Sequence, residues 1–152
     1  MHSRSRSRSF LNLALALGLV ATAASPFIAT AAAQDDEETP LGEQMEELQS
    51  GLRRLRKLVT KPDEKEATLE ILRAMQGHGI QAFALGPEPP ETLPAAEHAE
   101  WSVNFRRQIL KVVDQLLVVE LAVSEGRTED AKSAYKELGQ LKNAGHDTYQ
   151  PD

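Results

Sequence analysis

Cysteine is absent from this chain of 152 residues, which excludes a disulfide framework and a cysteine nucleophile. No segment alternates apolar and polar residues over a useful length, so we expect no β-sheet. The G-x-S-x-G, Walker and H-E-x-x-H motifs are missing as well. The sequence therefore predicts an all-α protein that is not an enzyme.

The first 33 residues have the composition of a secretory signal peptide. Arg4, Arg6 and Arg8 precede the apolar stretch FLNLALALGLVATAA, and the alanines at 31–33 fit the cleavage pattern before Gln34. We predict cleavage there and a periplasmic location, reached by the general secretory route because the leader has no adjacent arginine pair. Two alternatives are an uncleaved membrane anchor and a Ser-Arg tail that binds nucleic acid.

Loss of this leader makes the chain more acidic. Without the three leader arginines, 14 of the 17 basic residues remain against all 23 acidic ones, a net charge of −9. Residues 34–38, QDDEE, are expected to form a disordered acidic leader. A surface of this sign disfavours nucleic acid and favours either simple solubility or a basic protein partner.

The first of four helical segments is expected to begin at Thr39, a good N-cap residue, with Pro40 at the first helical position. Its apolar residues recur at intervals of four and three, which marks the buried face of an amphipathic helix. This stripe contains Leu41, Met45, Leu48, Leu52, Leu55 and Val59.

The other three segments show the same spacing. Asp63 and Glu66 form a capping-box pattern ahead of the second segment, whose expected core residues include Leu85. Four prolines in residues 86–94 exclude a helix there, and Gly126 should end the third segment.

Two of the three connections between these segments are short, so neighbouring helices should be antiparallel. Residues 39–152 are therefore expected to form one domain, an up-down-up-down four-helix bundle. In this topology the start of the first helix and the end of the fourth lie at the same end of the bundle.

That topology brings a methionine and a histidine together. Met45 follows Pro40 by five residues and His146 precedes Pro151 by five, so each should lie about 8 Å from the same end. A thioether and an imidazole in a bundle core are an axial ligand pair for haem iron. Leu48, from the first helix, should also face this region.

The third and fourth helices complete the expected haem pocket. Phe105 and Ile109 come from the same end of the third helix, while Gly145 leaves room for a flat ring. The positions that carry cysteine in a C-x-x-C-H motif hold Lys142 and Gly145 here. A haem would therefore be non-covalent, a haem b.

The segments LGEQMEELQSGLRRLRKLV and FRRQILKVVDQLLVVELAVSEGRTEDAKSAYKELGQLKNAGHDTYQ, with the Pro-rich stretch between them, resemble the soluble periplasmic cytochrome b562 family. The resemblance implies a four-helix bundle that exchanges single electrons. By position, Met45 and His146 match the axial ligands, and Tyr149 matches the tyrosine that follows the histidine. Leu48 and Phe105 match haem-packing positions.

Three positions depart from that family. Ile109 stands where the family has a second phenylalanine, Lys142 where it has arginine, and Gly145 where it has an aromatic residue. Lys142 is expected near a haem propionate. The family pattern implies redox proteins as partners and a monomer in solution.

Alternatives to this interpretation remain. His78 and His98 are expected at the same end of the bundle as His146 and could compete as ligands, although we favour surface positions for both. A haem-free bundle for protein interaction or envelope stress sensing is the main functional alternative. A haem or copper carrier that uses Met45 with one or more histidines is the third hypothesis.

Overall fold

The computed structural model describes residues 39–149, and all regular structure in that range is helical. Four α-helices, α1 to α4, span Pro40–Leu58, Lys65–Leu85, His98–Ser124 and Thr128–Tyr149. Short 3-10 turns at Pro62–Glu64 and Ala95–Glu97 precede α2 and α3. The all-α prediction is confirmed for this range, in which no helix is long and apolar enough to cross a membrane. The expected signal peptide and acidic leader lie outside the described residues.

The start of α1 follows the sequence prediction closely. Thr39 is the N-cap, and its hydroxyl accepts a hydrogen bond of 3.0 Å from the backbone N–H of Gly42. Pro40 occupies the first helical position, where its missing N–H costs nothing. A cap of this kind stabilises a helix by about 1 kcal/mol.

The predicted capping box of α2 is wrong. The residues from Pro62 to Glu64 form a 3-10 turn, α2 begins at Lys65, and neither turn nor helix has a side-chain cap. Pro62 favours a tight turn because its φ is fixed and it has no N–H to donate. The Thr68 hydroxyl donates to the Glu64 carbonyl at 2.7 Å, which fastens the turn to the helix.

Leu85 does not belong to the core either. It is 48% exposed, and Ala82 is the last buried residue of α2. The apolar repeat of α2 thus continues from Ala82 to Leu85, three residues beyond the last buried position. Gly86 follows the helix with a φ of 63° and a ψ of 150°, a conformation open to glycine because it has no Cβ atom.

Glycines allow consecutive helices to approach closely. A Cβ atom at Gly51 of α1 would lie 2.5 Å from the sulfur of Met75 in α2. A Cβ atom at Gly79 of α2 would lie 2.6 Å from a methyl group of Val113 in α3. At both points the side chain of one helix therefore packs directly against the glycine backbone of its neighbour.

The helices are packed in chain order. Close backbone contacts join α1 to α2, α2 to α3 and α3 to α4, but α1 and α4 approach one another less closely. The Tyr135 hydroxyl of α4 crosses this gap and donates a hydrogen bond of 3.0 Å to the Leu52 carbonyl of α1. A cleft is left between the first and last helices of this helical bundle.

Candidate functional site

A cavity of about 350 Å³ occupies the cleft between α1 and α4, with α3 behind it. Its volume falls within the range of about 300 to 1,000 Å³ that is usual for small-molecule sites. Most of its wall is apolar, formed by side chains that include Leu41, Leu48, Ile109 and Leu141. Such a lining suits a largely apolar ligand.

Met45 and His146 both line this cavity, one from α1 and the other from the last turn of α4. They are 101 positions apart in the chain. Both side chains are half-buried. Met45 also packs against both apolar clusters of the core, which holds its thioether between them. The two residues that the sequence predicted at one level therefore lie on one cavity.

The other predicted site residues line the same cavity. Leu48, Phe105 and Ile109 are buried and form part of its apolar wall, and Lys142 also lines it. Phe105 and Ile109 also form a small core cluster with Ala82 of α2. All four side chains therefore line the cavity that Met45 and His146 also line.

An aromatic cluster closes one end of the site. The ring of Tyr149 lies 5.2 Å from the ring of Phe105 and 5.2 Å from that of Trp101, edge to face in both cases. Burial raises the pKa of the Tyr149 hydroxyl. Trp101 was not singled out from the sequence, although it precedes Phe105 by four residues and so lies on the same face of α3.

Gly145 lines the cavity without being required by helix packing. A Cβ atom there would lie 3.8 Å from the Gln108 side chain, an ordinary van der Waals distance. The Gln108 amide itself donates to the Leu141 carbonyl at 2.9 Å. Glycine inside a helix costs about 0.5 to 1 kcal/mol relative to alanine. Because Gly145 has no side chain, it leaves space in the cavity wall beside His146.

The competing histidines are both engaged elsewhere. The Nδ1 atom of His78 lies 2.8 Å from the Gln44 side-chain oxygen, and Nε2 of His98 lies 2.8 Å from the Leu93 carbonyl. Neither residue lines the cavity. Among the histidines in residues 39–149, His146 is the one that lines it.

The donor set of the cavity is unlike that of a carboxylate metal centre. Within residues 39–149 no three His, Asp or Glu side chains come close enough to form a metal site. The cavity instead offers the imidazole of His146 and the thioethers of Met45 and Met75 among largely apolar walls, and Met75 is almost fully buried. This combination matches the axial ligation of a haem iron.

Comparisons with protein-family models, curated proteins and solved structures found no significant match to this chain. The resemblance to the cytochrome b562 family therefore stays a prediction from the sequence, carried by the segments around Met45 and His146. The cavity is a feature of this chain itself, so its description does not depend on any related protein.

Proposed function

We propose that this protein is a periplasmic b-type cytochrome, similar to the cytochrome b562 family, that exchanges single electrons with other proteins. The observation that supports this proposal most directly is the shared cavity of Met45 and His146. A thioether and an imidazole on one largely apolar cleft are donor types that can ligate the iron of a non-covalent haem b.

The register of the helices supports the up-down-up-down topology expected of such a protein. In each contacting pair, residue numbers rise along one helix while they fall along its neighbour. The contacts are Gln44 with His78 and Gly51 with Met75, Lys65 with Ser124 and Arg73 with Glu120, and Gln108 with Leu141 and Gln115 with Ala134. This is the register of antiparallel neighbours.

Each site residue has a specific role in the proposal. Met45 and His146 would hold the haem iron, and the buried side chains of Leu48, Phe105 and Ile109 would pack against the ring. A bound haem supplies one-electron exchange at its iron, and a methionine ligand favours the ferrous state.

Optical titration of residues 34–152 with haem tests the proposal. We expect sharp low-spin bands in both redox states, which Met45→Ala and His146→Ala abolish. His78→Ala is the matched control, since His78 lies off the cavity. Failure of the wild-type protein to take up haem would refute the proposal.

The ligand assignment and the location are tested separately. If His146→Ala keeps the low-spin spectrum while His78→Ala removes it, His146 is not the ligand. For the location, the N-terminus of the protein recovered from a periplasmic extract is measured by mass spectrometry. We expect it to begin at Gln34.

A further inference from the structure

An open groove of about 770 Å³ lies beside the cavity, between the outer faces of α1 and α4. Six basic side chains and no acidic one line it. They are Arg53, Arg54, Arg56 and Lys57 of α1, and Lys136 and Lys142 of α4. The groove is thus strongly positive in a chain whose formal net charge is −6.

These cations are not compensated within the described part of the chain. The ion pairs found there use Arg73, Arg127 and Lys132, none of which lines the groove. Like charges three or four residues apart, such as Arg53 with Arg56 or Lys57, destabilise a helix by about 0.2 to 0.5 kcal/mol per pair. The row of cations therefore reduces the stability of the isolated protein, and a bound anion would relieve the repulsion.

The walls of the groove have a defined length. From Gln49 to Lys57 the wall of α1 is about 12 Å long, and from Lys136 to Asn143 that of α4 is about 10 Å long. At about 3.3 Å per residue, an extended peptide of about four residues spans this distance. The amides of Gln49, Gln140 and Asn143 add neutral hydrogen-bond donors to the wall.

The groove is continuous with the candidate haem cavity, because Gln49, Leu52 and Lys142 line both. Tyr135, which bridges α4 to α1, lies in the groove wall close to the guanidinium of Arg56. A molecule held in the groove therefore lies next to the edge of the cavity.

We propose that this groove docks an exposed acidic segment of a partner protein, with several carboxylates in about four extended residues. The inference that an acidic segment docks there depends only on the charge and the shape of the groove. The further inference that the partner exchanges electrons rests on the proposed function. A long nucleic acid fits less well, because it would continue past a 12 Å groove onto the acidic remainder of the surface.

Binding of a fluorescent tetraglutamate peptide to the full-length protein tests the proposal. We expect saturable binding at low ionic strength that weakens as salt rises. Arg53→Glu with Arg54→Glu should weaken it about tenfold. Arg106→Glu with Arg107→Glu is the matched control, an adjacent and exposed arginine pair on α3 that lines neither the groove nor the cavity.

A second pair of variants blocks the groove without changing its charge. Gly139 lies in the groove wall, and a Cβ atom there meets nothing within 4 Å. Gly77 of α2 is equally open and lies outside the groove. Gly139→Leu should weaken peptide binding, whereas Gly77→Leu should leave it unchanged, with circular dichroism confirming that both variants are folded.

Three results would overturn the proposal: equal losses in the two arginine variants, no loss in Gly139→Leu, or tighter binding of oligothymidylate or of anionic lipid vesicles than of the peptide. Haem uptake is measured on the same samples. Peptide binding without haem uptake supports the groove and refutes the cytochrome, and the reverse outcome refutes the groove alone.

Discussion

Gly79 and Gly77 lie two residues apart in α2 and provide a matched test of how tightly α2 packs on α3. A methyl group at Gly79 would meet the Val113 methyl at 2.6 Å, whereas one at Gly77 would meet nothing within 4 Å. Val113 is β-branched, so its side chain has few alternative rotamers. The clash at Gly79 therefore requires the helices to shift.

The expected magnitudes have opposite signs. Replacement of a mid-helix glycine by alanine stabilises a protein by about 0.5 to 1 kcal/mol when the new methyl group is unobstructed. Overpacking of a tight contact costs about 1 to 3 kcal/mol. Gly77→Ala should therefore raise the free energy of unfolding by up to about 1 kcal/mol, and Gly79→Ala should lower it by a similar amount.

Urea denaturation of the haem-free protein, followed by circular dichroism, measures both changes, provided that the variants share the wild-type m value. The comparison is internal to one helix, so errors common to both variants cancel. If Gly79→Ala stabilises the protein as much as Gly77→Ala does, the close approach of α2 to α3 is absent in solution.

Three further predictions concern the helix start, the aromatic cluster and the state of association. Thr39→Ala should lower the free energy of unfolding by about 1 kcal/mol in the same urea assay, because it removes the α1 cap; no change would mean that the cap is replaced by water. Since burial raises the pKa of Tyr149, its contribution to stability should be complete below its unfolded pKa of about 10 and be lost as pH rises through the higher folded value. Tyr149→Phe should then flatten the alkaline fall in melting temperature, and an unchanged fall would contradict burial of the hydroxyl. Light scattering should give a monomer, although Leu117 and Leu121 of α3 are 49% and 54% exposed; a dimer that Leu117→Lys dissociates would show that α3 self-associates.

Helix positions were predictable where one local signal decides them. Thr39 with Pro40 determines the start of α1, and Gly126, with a φ of 70°, follows the end of α3. The capping box failed because Pro62 favours a 3-10 turn, and the sequence pattern of Asp63 and Glu66 does not reveal that competition.

The candidate site was partly predictable for a geometric reason. Counting five residues from Pro40 and five from Pro151 predicts Met45 and His146 at one level of an antiparallel bundle, and this prediction requires only the helix rise. The basic groove was missed because its two walls lie about 80 residues apart in the chain. The net charge is a sum over the whole surface. Its negative sign therefore favoured a basic partner and gave no indication of a local positive groove.

The cavity and the groove both lie between α1 and α4, which make fewer close backbone contacts than the helix pairs adjacent in the chain. From α4, Leu138, Leu141 and Gly145 line the cavity, whereas Ala131 and Ala134 lie in the main core. The Tyr135 hydroxyl crosses the cleft between these two helices and donates to the Leu52 carbonyl of α1. An all-helical core that needed only stability would fill this space. Stability therefore does not explain the unfilled cleft, which has a thioether and an imidazole on its wall and cations along its outer rim.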